Sequence, residues 1–122
     1  MIAEISSSAN LAGFLGYNFK KVDAGGASVL LAEGLYANPE GGYTMEEVLS
    51  DMQAAIPKKC RTKNVVFHCS LNPHPDEKLS DEQLTQIAQE YMQALGYGEQ
   101  PYIVFKHNDI AREHIHIVSL RV

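Results

Sequence analysis

The residues best suited to chemistry lie near the C-terminal end of the sequence, where the run from Lys106 to Val118 reads KHNDIAREHIHIV. Tyr102 to His107 reads as a β-strand, Asn108 to Glu113 as a polar turn, and His114 to Leu120 as a second strand, together a hairpin. Side chains alternate faces along a strand, so His114 and His116 share one side while Ile115 and Ile117 take the other. His107, at the end of the neighbouring strand, can complete a cluster of three. Three imidazoles on one sheet face, with no further protein ligand, form an open nitrogen-rich site for a divalent cation such as Zn²⁺, Mn²⁺ or Ni²⁺. The His-Ile-His pair alone reads more readily as a solvated strand face with two surface histidines, because such pairs are common by chance. A third histidine seven residues upstream, across a turn of suitable length, moves the balance toward metal. Asp109 has two readings, an acceptor that orients one imidazole or a turn residue bonded to its own backbone.

Six further elements must position this hairpin. Met1 to Ser6 is short, apolar and closed by serines, as a first strand would be. From Leu11 onward, counting about 100° per residue, Leu11, Phe14, Leu15, Phe19 and Val22 share one apolar helical arc. Tyr17 falls outside that arc, which leaves its hydroxyl open to solvent or to a ligand, or places it simply along the helix rim. Gly13 and Gly16 weaken the helix and permit close approach of another backbone. Asp23 to Ala27 is a turn, Ser28 to Tyr36 a strand interrupted by a glycine, and Asn38 to Gly42 a loop. Thr44 with Glu47 makes a capping box and Tyr43 with Val48 a hydrophobic staple, opening a helix that Pro57 ends.

Asn64 to Asn72 is the most strand-like stretch. Val65, Phe67, Cys69 and Leu71 make one face, and Val66, His68 and Ser70 the other. His68 and Ser70 would border the histidine site if this strand lies beside the hairpin, either to touch a phosphate or as ordinary hydrogen-bonding side chains. Ser80 with Gln83 forms a second capping box, and Leu84, Ile87, Ala88, Tyr91, Met92 and Leu95 mark one helix face, closed by Gly96. The order strand, helix, strand, helix, strand, helix, strand, strand implies an α+β fold. We expect a largely antiparallel central sheet of about five strands, helices packed on one face, and an open face carrying the three-histidine site.

The 122 residues suit a single domain spanning 1–122. The two cysteines, Cys60 and Cys69, do not form a spaced ligand set. Neither a signal segment nor a long apolar span is visible, so the expected setting is the cytoplasm, with no membrane partner. A net charge of −5 argues against nucleic-acid binding through bulk positive charge. The bases are nevertheless clustered, with Lys58, Lys59, Arg61 and Lys63 close together and Lys20 next to Lys21. They make either a local DNA-facing patch or a solvated connection.

Three segments together resemble the nuclease domain of the relaxases, mobilisation proteins of the His-hydrophobic-His endonuclease class. They are NLAGFLGYN with Tyr17, HCSLNPHPDE with His68 and Ser70, and HNDIAREHIHIVS with His107, His114 and His116. The resemblance covers nearly all of the chain, and the last segment is the most specific. It implies a tyrosine nucleophile, Tyr17, and a divalent cation (Mg²⁺, Mn²⁺, Zn²⁺ or Ni²⁺) held by His107, His114 and His116. His68, Ser70 and Asp109 would contact DNA or support the ligands. The implied activity is site- and strand-specific nicking of single-stranded DNA at a transfer origin, through a 5′-phosphotyrosyl link, initiating plasmid or transposon mobilisation with accessory mobilisation proteins. His68, Asp109 and Glu4 are candidate bases. Relaxases are usually longer, so the chain is expected to be the N-terminal part of a larger protein. Competing readings are a replication-initiator endonuclease, a water-using metal hydrolase, and a non-catalytic nucleic-acid-binding module.

Overall fold

The computed structural model describes residues 2–35, 44–58, 63–74, 77–108 and 113–121. Among these lie β1 (Ile2–Ser8), α1 (Leu11–Asp23), β2 (Ala27–Glu33), α2 (Met45–Ala54), β3 (Val66–Asn72), α3 (Asp81–Ala94), β4 (Tyr102–His107) and β5 (His114–Leu120). Tyr36, the loop 38–42, Tyr43 of the expected staple, Cys60, and Lys59 and Arg61 of the basic cluster fall outside the described residues.

The strands form one sheet of order β1-β3-β5-β4-β2, and every neighbouring pair is antiparallel. The expected five-stranded α+β architecture with three helices and a three-histidine group is therefore observed among the described residues. The helices, however, do not gather on one face. Helices α1 and α2 bury Leu11, Leu15, Phe19, Val48 and Met52 against Val66, Ile103, Phe105, Val118 and Leu120. Helix α3 buries Leu84, Ala88 and Met92 on the other side, against Phe67, Cys69, Leu71, Tyr102, Val104, Ile115 and Ile117. The cause is in the central strands, which are apolar at odd and even positions alike; a strand of that kind needs cover on both sides. The edge strand β1 is the exception, since Ala3 to Ser7 are all exposed.

Local chemistry explains the helix starts. The α3 capping box is complete, with Gln83 N–H donating to Ser80 Oγ at 3.1 Å and Ser80 N–H donating to Gln83 Oε1 at 2.8 Å. At α2 only half of the expected box forms. Glu47 N–H donates to Thr44 Oγ1 at 3.3 Å, but the glutamate takes the threonine hydroxyl's own hydrogen bond at 2.9 Å. Asn10 caps α1, accepting from Gly13 N–H at 2.9 Å. A Cβ at Gly13 would overlap the Asn10 amide and push the cap aside, so the close approach is to a cap side chain, not to another backbone.

Gly34 closes β2 at φ 71° and lies so near Pro101 that an added Cβ would sit 3.1 Å from the Pro101 Cα. Both the left-handed backbone and the tight contact resist a side chain. Gly34→Ala is expected to cost about 1–3 kcal/mol, measurable as a lower denaturant midpoint with unchanged slope. On the sheet side away from the histidines, Lys106 Nζ bridges Asp81 of α3 at 2.6 Å and Glu113 at 3.1 Å, tying the turn end of the hairpin to the helix. The Asp81 hydrogen bond is the main cause of a raised Lys106 pKa, with Glu113 adding to it.

Candidate active site

Strand pairing alone assembles most of the site. His107 and His114 are direct cross-strand partners, and His116 stands opposite Phe105 on one side and Ser70 on the other. Residues directly opposite across a ladder point to the same face. The alternation read from the sequence thus acquires a second dimension. The ring centroids of His107 and His116 are 4.1 Å apart, those of His114 and His116 4.9 Å, and those of His107 and His114 5.2 Å. One ring nitrogen from each lies within 4.8 Å of the others. An ion about 2.1 Å from each nitrogen would draw them closer, a contraction that side-chain torsions can supply. The donors fit a divalent cation, and three imidazoles suit Zn²⁺ or Ni²⁺ better than the oxygen-seeking Mg²⁺.

A fourth imidazole joins the group. His68 Nε2 is 2.9 Å from His116 Nδ1, and His68 Nδ1 is 3.4 Å from Ser6 Oγ. Burial pushes the His68 pKa below the usual imidazole range, so the ring is neutral at neutral pH. With His116 Nδ1–H as donor and His68 Nδ1–H donating on to Ser6, His116 keeps its Nε2 lone pair for a cation. Phe14 of α1 lies over His68 with centroids 4.8 Å apart.

Tyr17 reaches the same place from the helix side. Its ring stacks toward His107 at 6.2 Å between centroids while remaining 55% exposed. Residues 17 and 107 meet because α1 packs against the β4 half of the sheet through Phe19 on Phe105, 5.2 Å apart edge to face. Lys21, one helical turn on, holds its ammonium 5.6 Å from the Tyr17 ring. A recess of about 260 Å³ opens beside the tyrosine, lined by Ser8, Asn10, Gly13, Phe14 and Tyr17.

The structure therefore brings together Tyr17, His68, His107, His114 and His116. Ser70 borders them, buried at 7% exposure, with its Oγ accepting from Asn72 Nδ2 at 3.4 Å. Glu4 is exposed and pairs with Ser70, which puts it two strands, roughly 10 Å, from His116. Asp109 lies outside the described residues.

Asn18 is the residue that sequence reasoning passed over. It is fully buried, and its Oδ1 is 2.7 Å from His107 Nε2. A signal existed, since at about 100° per residue Asn18 falls inside the apolar arc of α1, between Phe14 and Leu11. A polar side chain there must find a buried partner.

Fold and site thus define a three-imidazole centre on an antiparallel sheet, on the face that α1 and α2 cover, with an exposed phenol at its edge. Residues 17–122 match the relaxase family described as MobA/VirD2-like, nuclease domain, and the chain belongs to that family. Membership supports a DNA-nicking nuclease of mobilisation, and the family implies single-stranded DNA at an origin as the partner. Neither a curated protein nor a solved structure matches the chain significantly. Among the described residues no helix is long and apolar enough to cross a membrane.

Proposed function

We propose that the chain acts as a single nuclease domain that nicks one DNA strand at a transfer origin by tyrosine transesterification. The observation that carries this reading is the position of Tyr17, solvent-exposed yet beside the imidazole cluster. His107, His114 and His116 would hold one divalent cation, which supplies positive charge to the non-bridging phosphate oxygens where charge accumulates in the transition state.

Tyr17 Oη would form a bond to phosphorus as the bond from phosphorus to the 3′-oxygen breaks. The phenol proton leaves and the departing 3′-oxygen gains one, so the products are a 5′-phosphotyrosyl ester and a free 3′-hydroxyl. A free phenol ionises at about pH 10, so the proton needs an acceptor. His68 Nε2 already accepts from His116 and exposed Glu4 lies two strands away, so the proton of exposed Tyr17 would pass to solvent. Because the phosphotyrosyl ester keeps the energy of the broken bond, attack by a 3′-hydroxyl can reseal the strand. Lys21 would attract the phosphate, and the recess beside Tyr17 offers room for an adjoining nucleotide. Lys21 would give the local attraction for DNA that the overall charge of −5 does not. Plasmid or transposon transfer, accessory mobilisation proteins and a cytoplasmic setting complete the proposal.

The test is incubation of the protein with Mn²⁺ and an end-labelled single-stranded origin oligonucleotide, followed by a denaturing gel. The expected result is a labelled protein–DNA adduct that survives denaturation and disappears on protease treatment. Cut DNA with no adduct at any time would instead favour hydrolysis by water.

A further inference from the structure

Helix α1 spends one position of its buried stripe on an amide. Asn18 has no solvent exposure, and burying a polar side chain among Leu15, Phe19 and the sheet is costly unless every polar atom is matched. Both of its ends are matched. Nδ2 donates to the Phe14 carbonyl one turn back at 2.8 Å, and Oδ1 faces His107 Nε2 at 2.7 Å. The amide cannot sensibly be reversed, because its oxygen would then oppose the Phe14 carbonyl oxygen, two acceptors in contact. With Oδ1 toward the ring, the imidazole must be the donor. A neutral imidazole has only one N–H, so a proton held on Nε2 leaves Nδ1 as the lone-pair nitrogen.

We propose that Asn18 is a positioning residue: it holds His107 as the Nε2–H tautomer, so that Nδ1 is the nitrogen His107 offers to a divalent cation. This rests on the reading of His107, His114 and His116 as a cation site, but not on the identity of the nucleophile. His107 is the ligand that most needs such a hold. His114 and His116 are spaced by their own strand, whereas His107 ends β4 just before the hairpin's polar turn. The same amide links the two halves of the site. Asn18 follows Tyr17 directly, so the hydrogen bond that orients His107 also sets the rotation of α1 from which the phenol projects. An outer hydrogen bond of this kind orients a ligand and raises its basicity, and its removal weakens metal binding by about 10- to 100-fold.

The experiment uses the 122-residue chain without DNA. Long-range ¹H–¹⁵N NMR of the ion-free wild type reads the tautomer of each histidine, and His107 is expected as Nε2–H. Asn18→Leu, close in volume but without an acceptor, is expected to bind Mn²⁺ about 10-fold or more weakly by titration calorimetry. It is also expected to lose the single His107 tautomer. His107 found as Nδ1–H in the wild type, or undiminished Mn²⁺ affinity in a folded Asn18→Leu, overturns the inference. Should the variant fail to fold, the wild-type tautomer decides alone. Because neither readout involves DNA, a Tyr17 that forms no adduct would defeat the nicking proposal while leaving this one standing.

Discussion

Replacing Tyr17 by Phe is expected to abolish the covalent protein–DNA adduct and to lower strand cleavage by on the order of 10³-fold or more, the scale on which loss of a nucleophile is felt. The substitution removes one oxygen and leaves the ring. Because Tyr17 is 55% exposed and contributes nothing to either core cluster, the melting temperature should stay within a degree or two of wild type. Mn²⁺ affinity should also be unchanged, since the phenol is not among the three grouped nitrogens. That combination separates a nucleophile from a structural tyrosine. Cleavage persisting at the wild-type rate in Tyr17→Phe would assign the chemistry to water, with the tyrosine a bystander at the rim.

The second large effect concerns the cation. His114→Ala is expected to weaken Mn²⁺ binding by more than about 100-fold and to reduce nicking in step, because two imidazoles cannot replace three and even an outer-shell loss costs 10- to 100-fold. His114 is the cleanest of the three to remove. It is half-buried at the start of β5, it sits outside both apolar clusters, and the Asn18–His107 and His68–His116 hydrogen bonds do not involve it. The variant should therefore fold normally, and raising Mn²⁺ should partly restore nicking. Undiminished ion binding in His114→Ala would remove the triad as a unit, whatever became of activity.

Features set by near neighbours along the chain are legible in the amino-acid order alone. The α3 helix is one, since Ser80 and Gln83 are three residues apart and their reciprocal hydrogen bonds need only a helical turn. The facing of His114 with His116, and of His68 with Ser70, is another, because a strand's period of two is local geometry. Tyr17 off the buried stripe of α1 follows from the helical period in the same way. The joint presence of the three motif segments pointed to the relaxase family, which the match over residues 17–122 bears out.

What required the folded molecule depends on partners distant in the chain. The pairing of β3 with β5 puts His68 against His116 across 48 residues, and the packing of α1 on β4 puts Asn18 against His107 across 89. No periodicity encodes which strand lies beside which. The distribution of helices over both sheet faces was decided the same way. Each central strand offers apolar side chains to both sides, and only the closed sheet shows which helix covers which. The sequence by itself determined which side chains could do chemistry and which way each points along its own element. Tertiary packing decided which of them meet, because contact between remote segments is settled by the burial of whole faces and not by the residues that end up touching.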